Sequence, residues 1–204
     1  MGVYPEEKRF LLFAVHASLL IKWNKKVNLT SILDPLDIAV KHFVDSAALI
    51  RHIPSNARVL DIGTGAGFPS IPLKIVNPSL EVTCVDASRK KISFVKESIR
   101  QCGLEKILAM HARAEDLSGD QGHQHSYDVV TSRAFSSLED FSALASPFLA
   151  PNGTILAMKG KGCNIEDFSN IFKKSFRIST SDYRLPFLDG QRCLIKLRPR
   201  DDSS

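Results

Sequence analysis

The residues best suited to chemistry lie in one run, Val59-Leu60-Asp61-Ile62-Gly63-Thr64-Gly65-Ala66-Gly67-Phe68-Pro69. Glycines at alternate positions remove Cβ atoms, so the backbone can turn tightly and approach a ligand. A turn alone needs one glycine; three imply something to be held. The dinucleotide fingerprint is G-x-G-x-x-G, whose third glycine lets helix and strand pack closely. Here Phe68 occupies that place, and the pattern is D-x-G-x-G-x-G. Asp61 would repel a phosphate and suits an amine or another cation. Both features favour S-adenosylmethionine, which carries a sulfonium and an ammonium and no phosphate, over NAD. Asp61, Gly63, Gly65 and Phe68 are therefore cofactor candidates. Asp86 is another, 86 − 63 = 23 residues past the first glycine at the end of an apolar run. An acid there can accept both ribose hydroxyls of an adenosine cofactor; it could also merely precede a helix capped by Ser88. Ala112-Arg113-Ala114-Glu115-Asp116 would border the adenine, or serve only as the acidic first turn of a short helix.

These residues must sit on particular elements. Arg58–Ile62, Leu80–Asp86, Ile107–His111, Tyr127–Thr131 and Thr154–Met158 read as strands. Helices are expected over Pro69–Val76, from Ser88 to near Gly103, over Ser137–Leu149 and over about Ile165–Lys174, with Pro151-Asn152-Gly153 as a turn. Strands alternating with helices imply βαβ units and a parallel sheet. Two closing strands, near Phe176–Asp182 and Arg192–Leu197, suit an antiparallel edge hairpin. The glycine run thus falls at a strand-to-helix turn, where open α/β sheets bind ligands. Residues 1–53 read as helical, with Pro5-Glu6-Glu7 starting one helix and Asp34-Pro35 another. We expect a helical extension over 1–53 and a core over 54–204, together one compact domain. Gly119–Ser126 reads as a mobile polar loop.

The 204 residues suit one domain, and 44% hydrophobic with 24% charged residues exclude a disordered or collagen-like chain. Lys+Arg 27 against Asp+Glu 22 gives +5, a modest excess compatible with a polyanion partner. Cys84, Cys102, Cys163 and Cys193 form no disulfide framework by spacing, which points to a reducing cytoplasm. The apolar run Phe10–Ile21 follows two acids and is broken by His16 and Ser18, so neither a signal peptide nor a membrane span is expected.

The chain resembles the GidB/RsmG family of small-subunit ribosomal RNA guanine-N7 methyltransferases. The matching blocks are Trp23-Asn24-Lys25-Lys26-Val27-Asn28-Leu29-Thr30, His42-Phe43-Val44-Asp45-Ser46, Asp61 to Pro72, Asp128-Val129-Val130-Thr131-Ser132-Arg133-Ala134 and Met158-Lys159-Gly160. They occur in family order across residues 23–160. The resemblance implies a Rossmann-like class I methyltransferase core with helices on both faces of a mostly parallel sheet, and an antiparallel C-terminal edge strand. It implies methyl transfer to N7 of a guanine in the 530 loop of 16S RNA, with the RNA or the small subunit as partner and a monomeric enzyme. By position, Gly63, Phe68, Ala114, Glu115 and Arg133 match the family's cofactor contacts. Ser70 departs from the pattern, where a glycine often follows the proline.

Guanine N7 exposes its lone pair, so no general base is needed and none is nominated. The fourth strand ends in Thr131-Ser132-Arg133, not in the Asn-Pro-Pro-aromatic pattern of amino-group methyltransferases. Arg133, always charged, could bind the cofactor carboxylate, a phosphate or guanine O6, or close a salt bridge. Lys159 and Lys161 are candidate phosphate contacts, or a solvated loop; their segment lacks P-loop spacing. His42 and Asp45, three apart on one helix face, could line the substrate entrance or pack as a pair. Trp23, Phe10 and Phe13 read as core. His123 and His125 lack acidic or cysteine neighbours, and no metal is expected. The Lys22, Lys25, Lys26 and Arg89, Lys90, Lys91 clusters are solvated faces, or footprints for RNA. An NAD-dependent oxidoreductase would lack its third glycine and any Tyr-x-x-x-Lys set. A non-enzymatic RNA-binding module would have little use for the glycine turn with Asp86.

Overall fold

The structure, a computed structural model, describes residues 5–133, 135–160, 163, 165–187 and 190–200. Seven strands form one sheet: β1 (Arg58–Ile62), β2 (Glu81–Asp86), β3 (Ile107–His111), β4 (Tyr127–Ser132), β5 (Leu149–Lys159), β6 (Phe176–Arg184) and β7 (Gln191–Pro199). Their order is β3-β2-β1-β4-β5-β7-β6. The first five run parallel, and β7 pairs antiparallel with both β5 and β6. The closing hairpin thus lies at one edge, and its inner member, β7, is the strand that runs against the rest. The order reverses between β1 and β4, which opens a crevice at their carboxyl ends.

Neighbouring residues on one strand enter opposite cores, as expected of a sheet covered on both faces. Val59, Val129 and Leu156 join one apolar cluster with Leu73, Leu80 and Phe94. Leu60, Val130 and Ile155 join the other, with Phe141 and Phe148. The first is roofed by α4 (Ser70–Val76) and α5 (Arg89–Gln101), on which α1 (Pro5–Asn24) packs. The second is roofed in part by α7 (Leu138–Ala145). Ser88 caps α5 by accepting from Lys91 N, which explains why the helix starts there.

Asp34 caps a short helix α2 (Pro35–Asp37), which runs into a π-helical segment, Ile38–Val44, then α3 (Asp45–Ala47) and a 3-10 turn, Ala48–His52. A single regular helix was expected over this stretch. Three further expectations change. Phe10 is not core: it is 72% exposed, on the outer face of α1, while Phe13 and Trp23 are partly buried against the first cluster. Helix α7 stops at Ala145, and Pro151-Asn152-Gly153 lies inside β5 rather than ahead of it. Asn152 adopts φ 65° there, and the register to β4 slips beside it, an irregularity that absorbs the turn signal. Cys163 and Cys193 form a disulfide with Cα atoms 6.1 Å apart, whereas free thiols were expected at all four positions. The pairing spans 30 residues and depends on β7 returning beside β5, so cysteine spacing could not reveal it.

Residues 119–126 are laced together: His123 Nδ1 lies 2.6 Å from Tyr127 Oη, and Gln124 Nε2 donates to Ser118 O. Among the described residues no helix is long and apolar enough to cross a membrane.

Candidate active site

Strand β1 delivers the glycine turn to the crevice. Gly63, Gly65 and Gly67 adopt φ 72°, 58° and 79°, in the left-handed region that costs a side-chain-bearing residue strain. At Gly67 space is also closed: a Cβ would meet Ile71 Cδ1 at 2.6 Å. At Gly65 it is open, the nearest atom to a Cβ lying 3.9 Å away. Asp86, at the end of β2, braces this turn: Oδ2 accepts from Gly65 N at 3.0 Å and Oδ1 from Ser88 N at 2.8 Å. One carboxylate therefore ties the first loop to the second, and each oxygen keeps a further lone pair.

A cleft of about 340 Å³ opens here. Gly63, Asp86, Ala114 and Glu115 line it, joined by Lys91 and Leu144. Helix α6 (Ala114–Leu117) puts Ala114 and Glu115 at its first turn. Four of the sequence candidates thus meet at one surface. Lys91 was read only as part of a charged cluster, and Leu144 not at all; Leu144 arrives from α7, too far along the chain for a local pattern to show.

Asp61 sits beneath the turn, wholly buried, with Oδ2 accepting from Ser70 Oγ at 2.7 Å. Burial pushes its carboxyl up to about 7, against the stabilising Ser70 hydroxyl. Its Oδ1 makes no close hydrogen bond among the described residues, and the neighbouring Thr64 hydroxyl, a donor as well as an acceptor, acts with Ser70 to pull the carboxyl back down. A buried carboxylate held chiefly by two hydroxyls keeps acceptor capacity for a further donor at the turn. An ammonium group fits that requirement and a phosphate does not. Ser70, the departure from the family pattern, is what satisfies the other oxygen of Asp61.

Phe68 does not line the cleft. It is buried under the helical extension, with the His42 ring stacked on it at 4.4 Å and 14°. His16 meets its edge at 5.2 Å and also packs on Phe43 and Phe94. Burial lowers His16 to about 3, and burial with the nearby Arg133 charge lowers His42 to about 4. Both imidazoles are neutral at pH 7. His42 Nε2 lies 2.9 Å from Thr30 Oγ1, linking two of the sequence blocks that lie outside the glycine turn.

Arg133 turns towards the extension: Nη1 donates to Ser46 Oγ at 3.2 Å, and Nη2 to Lys41 O and Asp45 Oδ2. Its guanidinium carbon stands 5.9 Å from the centre of the Phe68 ring. Asp45 is a hub, accepting also from Tyr183 Oη at 2.6 Å and Arg192 Nε at 3.4 Å. So His42 faces the glycine turn, while Asp45 binds Arg133 and the closing hairpin. Tyr183 and Arg192 gave no sequence signal, because their role depends on contacts 138 and 147 residues away. Lys159 ends β5 and is exposed. Lys161 lies outside the described residues. Among the described residues no group of three or more His, Cys, Asp or Glu could hold a metal ion.

The family profile described as GidB, rRNA small subunit methyltransferase G, matches residues 11–194. Two proteins named ribosomal RNA small subunit methyltransferase G are among the similar ones. That of Geobacter metallireducens is 41% identical over 209 residues, covering 100% of this chain and 93% of its own. That of Desulforamulus reducens is 38% identical over 200 residues, covering 94% and 82%. Among solved structures, a SAM dependent methyltransferase from Aquifex aeolicus superposes with TM-score 0.58 at 16% identity, over 80% of this chain and 93% of that one. Precorrin-6y C5,15-methyltransferase from Geobacter metallireducens gives 0.59 at 11% identity, over 76% and 87%. At such identities these two show the shared Rossmann-like class I fold and nothing finer.

Proposed function

Because the chain belongs to the GidB family of rRNA small subunit methyltransferases, we propose that it transfers the methyl group of S-adenosylmethionine to N7 of a guanine in the 530 loop of 16S ribosomal RNA. The observation that supports the cofactor is the buried Asp61 carboxyl beside the Thr64 hydroxyl, at a turn opened by Gly65. The two would receive the ammonium of the cofactor. Asp86 would accept the ribose hydroxyls with the lone pairs its two backbone bonds leave free, and Ala114 and Glu115 would border the adenine. When bound, the cofactor supplies an electrophilic methyl on a sulfonium.

The residues of the chain then have one task, to hold guanine N7 in line with that methyl. N7 carries its own lone pair, so no side chain has to remove a proton. Positioning of this kind is worth about 7–11 kcal/mol in the best cases. Phe68, stacked under His42 of the helical extension, would keep the mouth rigid, and the Arg133–Asp45 bridge would fix the extension against β4. His42 and Asp45 would belong to the wall of the substrate entrance through these contacts, Lys159 at the end of β5 would contact a phosphate, and Lys161, outside the described residues, is a further phosphate candidate on sequence alone. The reading places the enzyme in the cytoplasm and has it act as a monomer.

The test is incubation with methyl-labelled cofactor and unmodified 16S RNA, free or in the small subunit, followed by mass mapping. A single 7-methylguanine in the 530 loop is expected. Label on another base, or in another region, overturns the finer assignment.

A further inference from the structure

We propose that the side of the β6–β7 hairpin turned away from the second apolar cluster is a track for the RNA phosphate backbone, running down from Arg192 near the mouth of the site along Lys196, Arg198 and Arg177. The proposal rests on the functional reading above and adds where the RNA lies.

The antiparallel register decides which residues share that side. Arg177 pairs with Arg198, Ser179 with Lys196, Ser181 with Leu194 and Tyr183 with Arg192. Directly paired residues point the same way. The intervening residues Phe176, Ile178, Ile195 and Leu197 belong to the second apolar cluster, so they define the inner side. The outer side carries Arg177, Arg192, Lys196 and Arg198 with the hydroxyls of Ser179, Ser181 and Tyr183; Leu194 and Tyr183 pack on the first apolar cluster and Arg192 is paired with Asp45, so the cations left open on it are Arg177, Lys196 and Arg198. Arg177, Ser179, Ser181 and Arg198 are exposed, and Lys196 is half-buried.

Three cations elsewhere on the surface are neutralised. Lys41 pairs with Asp37, Arg58 with Glu81 and Arg100 with Glu97. Among the described residues Arg177, Lys196 and Arg198 have no such salt bridge. Arg177 and Arg198 even stand directly opposite each other, an arrangement that opposes strand pairing. The 3-10 turn Ala48–His52 adds Arg51, whose charge together with that of Lys196 disfavours the proton on His52 after burial has already done so. Lys196 is likewise depressed, by burial and then by Arg198. Uncompensated like charges held together on a flat sheet face are what a polyanion neutralises.

The placement fits the site. At its upper end Arg192 and Tyr183 bond Asp45, which holds Arg133 over Phe68. At its lower end Arg177 and Arg198 line a cleft of about 550 Å³ with His125 and Asn152. A rise of about 3.4 Å per residue puts Arg192 and Arg198 about 20 Å apart, room for several nucleotides. Ser179 and Ser181 add hydroxyl donors of the kind that bind phosphate without reading sequence.

The experiment measures binding of purified 16S ribosomal RNA as a function of salt for the full chain and for R177A/K196A/R198A. Loss of three phosphate contacts should lower affinity at low salt by about ten-fold or more. It should flatten the log–log salt slope by about 2, at about 0.7 per contact for single strands. Cofactor affinity, measured by calorimetry, should not change. The charge-keeping variant R177K/R198K should retain the wild-type slope, because phosphate contact needs charge and not a guanidinium. Wild-type affinity and slope in the triple variant would overturn the track, as would a lost slope in R177K/R198K. Unchanged binding of free RNA with weakened binding of assembled small subunits would assign the face to a ribosomal protein and also overturn it. If the wild-type chain binds cofactor yet neither binds nor methylates ribosomal RNA, the functional reading itself fails, a result distinct from any of these.

Discussion

Asp86 shows how one residue can be legible in type and position while its main observed duty stays hidden. Its place at the end of β2 follows from the strand pattern. Its bonds to Gly65 N and Ser88 N do not, since they join loops from two strands. Asp86→Ala removes both these and the proposed ribose contacts, so cofactor binding should weaken by about 2–3 kcal/mol. Calorimetry on the folded variant checks this, and unchanged affinity removes Asp86 from the site. The buried histidines make a second prediction. The fold refuses His16 a proton down to about pH 3, while the unfolded chain accepts one below about 6.5. A lowered histidine therefore contributes no loss above 6.5 and destabilises progressively as pH falls towards 3. That amounts to about 2 kcal/mol from His16 alone by pH 5, at about 1.4 kcal/mol per pH unit. Asp61 runs the other way: raised from an ordinary 3.8 to about 7, it costs stability as pH rises through that range. Comparing wild type with His16→Leu in urea at pH 7.5 and pH 5 isolates the histidine. Its removal should shrink the acid loss, and an identical loss in both proteins would refute the assignment.

At the scale of elements, β1 to β4 are readable because each is a short apolar run closed by polar or glycine residues, and β1, β2 and β4 are buried on both faces. The start of β5 is not, since Pro151-Asn152-Gly153 carries a genuine turn signal that the sheet absorbs as a local irregularity beside Asn152. The π-helical stretch Ile38–Val44 is not readable either. Such a widening is set by what the segment packs on, here Phe68 beneath His42, rather than by helix propensity. Likewise, the His42/Asp45 spacing suggested one shared duty, but the fold gives Asp45 a separate one. It joins α3, the end of β4 and the β6–β7 hairpin through Arg133, Arg192 and Tyr183. Asp45→Ala would leave two guanidinium groups without their shared counter-charge and should cost about 3–5 kcal/mol, the range for breaking a buried pair. His42→Ala should instead harm RNA methylation more than folding. Thermal unfolding and methylation assays on the two single variants decide this, and equal destabilisation by both would make the pair merely structural.

Across the whole molecule, the formal charge of +5 says little until it is placed. Some exposed charges compensate one another locally, as Arg100 and Glu97 do on α5. What remains unpaired determines how RNA approaches. Lys159 is exposed at the carboxyl end of β5, on the same edge of the sheet as the glycine turn. As a phosphate contact it would release counterions, so its removal should reduce the salt slope of RNA binding by about 0.7 for single-stranded substrate. Phosphate contacts position the chain without reading it. On the proposed function, the choice of base would come from a pocket that accepts a splayed-out guanine and bonds its edges. Lys159→Ala should thus weaken RNA binding, flatten the slope by a little under one and leave the methylated guanine unchanged. Binding curves at several salt concentrations, with mass mapping of the product, test all three at once. A wild-type slope would remove Lys159 from the footprint and leave it to the hairpin face and the Lys22–Lys26 cluster. A different methylated base would mean that this lysine reads sequence after all.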